Sequence, residues 1–366
     1  MDPDPDVGVT RIECPEPVWL SAPGKRTAEH SLREVTTAAF AVNGDGGRAL
    51  DLCRALGGSV PRPGSGQTLR LFETLASLAA VDLTAARVAE AHLDALAILD
   101  QAALDPAGVA TAGGREASWG VFAAEGPGVR LDARPADGER WRLDGTKPWC
   151  SLAGSLSHAL VTAHTSATTR RLFVVDLADP GITAHTDAWV GRGLPSVPSG
   201  PVEFRGIVGR PVGDDGWYLR RPGFAWGGIG VAACWWGGAV GLARRVWESV
   251  LEREPDQIAL AHLGALDLAL NAAGISLTAA AAAIDAGDAV GEQGALLAAR
   301  VRGQVARTVD EVITRTGHAL GPAPLALDAR HSGRVSDLQL YVRQHHAERD
   351  DAALGRRLRE AGISPW

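Results

Sequence analysis

His345 and His346 stand three and two residues before Glu348, and side chains of these types can exchange a proton. An imidazole with its ordinary pKa near 6.5 is largely neutral at pH 7 and can accept a proton. Adjacent histidines on a helix point in different directions, so at most one faces a given site. The same spacing offers no single face of three ligands, so no metal site is expected. Cys14, Cys53, Cys150 and Cys234 are scattered, with no pair at metal-binding spacing. They read as small buried hydrophobes in a reducing compartment. Gly228-Ile229-Gly230-Val231-Ala232-Ala233 formally satisfies G-x-G-x-x-A. That pattern holds a pyrophosphate only where a strand turns into a helix N-terminus. Here Arg221-Pro222-Gly223-Phe224 precedes it inside a helical run, so its small residues serve helix packing.

The elements that must position these groups come in three blocks. The chain has 366 residues, 46% hydrophobic and 22% charged, with a formal net charge of −7. That balance suits a globular protein and gives no electrostatic case for nucleic acid or an anionic membrane. No apolar run is read as long enough to cross a bilayer. The acidic start MDPDPDVGVT lacks the pattern of a signal peptide, and a cytoplasmic location is expected. Residues 1–30 read as a loosely packed arm. Residues 31–112 carry helical periodicity: Ser31 to Leu56, broken near Asn43–Gly47, and Thr68 to Asp100, broken near Asp82. Residues 113–220 hold the strand signals. Trp119–Ala124, Val129–Arg134, Arg140–Asp144 and His158–Ala163 are short β-branched or aromatic runs broken by turn chemistry. Residues 221–366 read as four helices: Ala225–Leu251, Gln257–Asp285, Glu292–Thr316 and Arg334–Glu360. The first is apolar nearly all round and, with Trp235-Trp236, predicts burial in a bundle core or an oligomer interface.

The order of the middle block carries a resemblance. A strand ending in Ala-Glu, a Gly/Pro turn, two strands and then Leu143, Gly145, Lys147, Trp149, Cys150, Ser151, Ala153 and Gly154 resemble the middle domain of the acyl-CoA dehydrogenase family. The similarity continues through Arg192-Gly193-Leu194, Val202-Glu203-Phe204 and Gly238–Ala243, and covers roughly residues 65 to 355. It implies an α+β fold with an N-terminal helical domain, a middle β-barrel-like domain and a C-terminal four-helix bundle.

The resemblance also implies FAD. Phe122, Ala123 and Ala124 would meet the pyrimidine edge of the flavin, while Trp149 and Ser151 would cover one edge with an indole and a hydroxyl. Arg253 stands about where the family's pyrophosphate-binding Arg-x-x-Phe-Gly begins, without its Phe and Gly. Gly317-His318 falls in a turn that meets the adenine-side phosphates, with His in place of the second Gly. Arg343 or Gln344 occupies one usual position of the catalytic Glu, and the other falls near Val231. His345 or His346 is then the favoured base, with Glu348 next. The implied function is FAD-dependent oxidation of an acyl-CoA or other acyl thioester by a dimer or tetramer. The alternatives are a flavin-dependent monooxygenase of the same fold and a catalytically silent subunit of a hetero-oligomer.

Overall fold

Asp82 shows how this sequence makes its N-terminal helices. Its backbone N–H bonds to Leu78 and ends one helix, and its carboxylate accepts from the Ala85 N–H and starts the next, an N-cap that satisfies an otherwise orphan donor. The computed structural model describes residues 14–110, 114–138, 140–362, 364 and 366. Its first helices are α1 (Glu29–Val42), α2 (Gly46–Leu56), α3 (Thr68–Val81), α4 (Leu83–Gln101) and the single turn α5 (Pro106–Val109). The expected loose arm is corrected for residues 14–21, whereas residues 22–30 are exposed. Val18 is buried and its N–H bonds to Ser77, while Leu20 and Ser21 donate to the buried Glu73 carboxylate. Residues 1–13 of that arm, and the block boundary at residues 112–113, lie outside the described residues.

The strands are β1 (Trp119–Phe122), β2 (Leu131–Pro135), β3 (Trp141–Lys147), β4 (His158–His164), β5 (Arg170–Asp176), β6 (Ile182–Ala184) and β7 (Val202–Val212). Pairings β4–β2, β2–β3, β3–β7, β7–β5 and β5–β4 close a five-membered ring, with β1 added parallel to β4 and β6 on β7. The barrel-like form follows from that closure, which removes free edges. The Gly of the Leu143-x-Gly145 motif is required here. Gly145 has φ +126°, and a Cβ would meet the Arg130 carbonyl oxygen at 2.2 Å.

The C-terminal block holds α6 (Trp217–Arg220), α7 (Pro222–Glu252), α8 (Gln257–Asp285), α9 (Gly291–Leu320), α10 (Ala323–Leu327), α11 (Ala329–Tyr341) and α12 (Glu348–Ala361). The G-x-G-x-x-A run lies well inside α7. Glycine there lets backbones approach: a Cβ at Gly237 would sit 2.1 Å from the Ala76 carbonyl oxygen of α3. Two expectations are corrected. The single helix Arg334–Glu360 is broken between Val342 and Ala347, where His345 is extended and Ala347 has φ 47°. Trp235 and Trp236 are buried within one chain, so α7 needs no second copy to cover it. The reading that no run could cross a bilayer is also corrected: α8 is long and apolar enough by length and composition. Only 17% of its most apolar stretch is buried, and Leu268 and Ile275 are 72% and 61% exposed. One hydrophobic cluster otherwise runs from α1–α4 through the barrel into α7–α9.

Candidate functional site

The turn after β3 is where the middle block meets the helices. Trp149 and Leu152 both adopt left-handed backbone, φ 59° and 57°, a conformation uncommon for residues with side chains. The Cys150 N–H bonds to Gly200 O at 3.0 Å and the Leu152 N–H to Pro198 O at 2.8 Å, which over-determines the turn. Cys150 and Leu152 point into the core, and the Trp149 indole is left 61% exposed. Backbone strain of this kind gathers at functional sites.

Ser151, between them, is a junction of three elements. Its Oγ lies 2.8 Å from Ser199 Oγ, in the loop before β7, and accepts from Arg87 of α4 at 3.0 Å. Arg87 also donates to Glu90 at 2.8 Å, and the Tyr341 hydroxyl of α11 donates to the same carboxylate at 3.1 Å. Arg87, Glu90 and Asp94 recur at i, i+3 and i+7, one face of a helix. Asp94 comes within 3.7 Å of Arg221, the residue that precedes α7 and itself donates to Gln101. Burial pushes the Glu90 and Asp94 carboxyls above the ordinary carboxylate range, against the pull of Arg87 and Arg221. Both carboxylates border a partly open cavity of about 30 Å³ lined otherwise by residues such as Leu71, Leu75, Leu93 and Trp226.

A second polar group fixes the end of β1. Glu125 accepts from Lys147 at 2.5 Å and from His164 at 3.0 Å, and pairs with Arg170 at 3.0 Å. Burial alone would raise its pKa; those hydrogen bonds outweigh it and hold the carboxyl down to about 2. Lys147, the lysine of the Leu-x-Gly-x-Lys-x-Trp run, is buried, and burial lowers its pKa despite Glu125. The pair draws Ala123-Ala124 alongside the turn that carries Trp149.

The expected site residues therefore fall into three places. Phe122 is core and Ala124 is exposed, and the Glu125–Lys147 bond ties the segment that follows them to the strand that leads into Trp149 and Ser151. His345 is buried with both ring nitrogens turned to the start of α12: Nδ1 accepts the Ala347 N–H at 3.2 Å and Nε2 lies 3.7 Å from Asp350. Burial lowers its pKa. His346 and Glu348 are exposed on the same turn. The link from this segment to the Ser151 junction is Tyr341. Arg253 is exposed at the end of α7. Gly317 and His318 lie in the last turns of α9, not in a loop, with His318 against His262 of α8. Arg87, Glu90, Asp94, Ser199 and Glu125 were not singled out from sequence. The signal was there for the first three: charges spaced three and four apart on an otherwise apolar helix. Among the described residues no group of His, Cys, Asp and Glu is arranged to hold a metal.

With this geometry in place, solved structures define the class of fold. The chain superimposes on the dibenzothiophene monooxygenase TdsC of Paenibacillus sp. A11-2, in its complex with FMN and indole, with a TM-score of 0.76 at 17% identity, over 92% of this chain and 98% of that one. It matches KijD3, in complex with FMN and a dTDP-3-amino sugar, with a TM-score of 0.76 at 19% identity, over 94% and 96%. Butyryl-CoA dehydrogenase from Megasphaera elsdenii gives 0.73 at 16% identity, over 91% and 99%. The fold is that of the acyl-CoA dehydrogenases and the flavin enzymes that share it. No family profile and no curated protein sequence matches the chain.

Proposed function

We propose that this chain is a flavin-dependent oxidoreductase that works as a monooxygenase with FMN. The residues present fit a flavin. An exposed indole stands on a strained turn at Trp149, the Ser151–Arg87 pair offers polar groups beside it, and the clamped β1 end supplies backbone at Ala123-Ala124. Bound flavin would supply two-electron redox chemistry and, once reduced, activation of dioxygen. FMN is preferred to FAD because Gly317 and His318, expected in a turn at the adenine-side phosphates, lie within the helix α9.

The observation that carries the monooxygenase reading is the α4 stripe. Ser151 is backed by Arg87 and, through it, by Glu90, and a hydrocarbon chain laid against that pair would desolvate charges without pairing them. The turn at 343–348 likewise presents no buried carboxylate for removal of an α-proton. TdsC and KijD3 were solved with FMN, which supports the cofactor. The likeness to butyryl-CoA dehydrogenase keeps acyl-CoA oxidation as the second reading, with His345 as its base. A subunit without catalysis is the third.

Equilibrium dialysis against FMN and FAD, followed by anaerobic mixing with butyryl-CoA, separates the three. FMN should bind and its oxidised absorbance should persist. Bleaching by butyryl-CoA within seconds would establish the dehydrogenase reading, and no flavin binding at all would establish the silent subunit.

A further inference from the structure

One hydrogen bond at Ser151 has a fixed direction. Its Oγ accepts from Arg87 Nη2 at 3.0 Å, and a guanidinium can only donate. The same oxygen lies 2.8 Å from Ser199 Oγ, which is also 3.1 Å from the Val197 carbonyl oxygen. The hydroxyl beside the proposed flavin site is thus polarised by a cation. The positive potential at this edge comes from behind it, from a guanidinium that stays charged at any working pH.

That guanidinium is held on its other side by Glu90, through Nη1 at 2.8 Å, and its centre lies 5.7 Å from the Tyr341 ring. Both partners of the ion pair are mostly shielded, with 16% and 12% of their side chains exposed, so their fields are screened less than at the surface. The two charges are ordered in space. Arg87 touches the Ser151 hydroxyl directly, and Glu90 lies one residue farther away, on Tyr341.

We propose that Arg87 is a positioning residue that, through Ser151, sets the charge at the edge of the flavin site and favours the reduced flavin over the oxidised. This rests on the flavin reading above. Reduced flavin carries more negative charge than oxidised flavin, so a fixed positive charge beside it stabilises the reduced form, and Glu90 moderates that effect.

The test is the midpoint potential of the FMN-loaded protein, measured by dye-coupled anaerobic titration in wild type, Arg87→Gln, Arg87→Lys and Glu90→Gln, with FMN affinity measured alongside. Arg87→Gln should lose at least tenfold in preference for the reduced form, about 30 mV lower for a two-electron couple. Arg87→Lys should stay near wild type, and Glu90→Gln should move the potential upward. Opposite signs are the signature, because a merely structural pair would shift both variants in one direction. If Arg87→Gln does not fold, Glu90→Gln still decides: an unchanged or lowered potential overturns the proposal. FMN bound with normal affinity but equal potentials in all four proteins sinks the proposal and leaves the flavin reading intact. A wild type that binds no FMN sinks both.

Discussion

Replacing Glu125 by Ala would leave Lys147 with a buried charge and no counter-ion. The lysine side chain is only 2% exposed, and Glu125 is the carboxylate within ion-pair distance of it. Removing one partner of a buried pair costs about 3–5 kcal/mol, because the remaining ion has lost its hydration without compensation. His164 and Arg170 also lose an acceptor, but both can turn to water, so the lysine dominates. A loss of about 3 kcal/mol with an m value near 3 kcal/mol/M moves the urea midpoint down by about 1 M. The loss has a pH signature. Stranded Lys147 would bind its proton less tightly folded than unfolded, so the unfolded state takes up more protons and stability rises with pH. The variant should lie closer to wild type at pH 9 than at pH 6. Adding Lys147→Met should recover most of the loss, since an apolar side chain of similar length suits the same space. Urea titrations of the single and double variants at both pH values are the assay. A single variant within 1 kcal/mol of wild type, or no recovery in the double, would show that Lys147 reaches water and that the clamp does not hold β1.

Asp337 of α11 accepts the Leu194 N–H at 2.5 Å, and burial raises its carboxyl to about 6 despite that bond. The folded state holds this proton more tightly than the unfolded state, so stability falls as pH rises from about 4 to 6; Asp337→Asn, which still accepts the bond, should gain about 1–2 kcal/mol at pH 7 and little at pH 4, by thermal melts at each pH. The exposed face of α8 predicts an oligomer: light scattering should give a mass well above 38.1 kDa, and Leu268→Glu with Ile275→Glu should lower it, whereas a monomeric wild type at micromolar concentration would refute this. Trp149→Ala should weaken FMN binding at least tenfold in dialysis with the melting temperature nearly unchanged, because the indole is solvent-facing; equal affinity would remove Trp149 from the site.

Helices with strong local signals were legible residue by residue. Asp256 caps α8 by accepting from Ile258 and Ala259, and the expected span Gln257–Asp285 is the observed one. The break before α12 was not legible, because it depends on Ala347 in a left-handed conformation that no glycine or proline marks. The strand Arg170–Asp176 went unread although Leu172–Val175 is a buried apolar run. Periodicity cannot tell so short a run from helix or loop. At the site, Trp149 and Ser151 were legible from the order of motifs. Arg87 and Glu90 were not, because a charge on a helix reads as a solvated face until tertiary packing covers it. His345 shows the converse. Its residue type suggested a base, and only the fold reveals that Nδ1 accepts the Ala347 N–H while Nε2 faces Asp350 at 3.7 Å.

The α4 stripe also bears on why one fold serves different substrates. An acyl chain gains about 0.8 kcal/mol for each buried CH₂, so four methylenes bring about 3 kcal/mol in an apolar channel. Against the Arg87–Glu90 pair that gain would be offset, since displacing water from charges that the chain cannot hydrogen-bond costs a similar amount or more. A polar substrate that meets those groups with its own hydrogen bonds avoids the loss. On the proposed reading Arg87 and Glu90 would weigh against a long acyl chain beside Ser151, while the glycine contact of α3 with α7 and the clamp at Glu125 leave the scaffold unchanged. The proposed specificity thus rests on α4, and the proposed flavin position on the barrel.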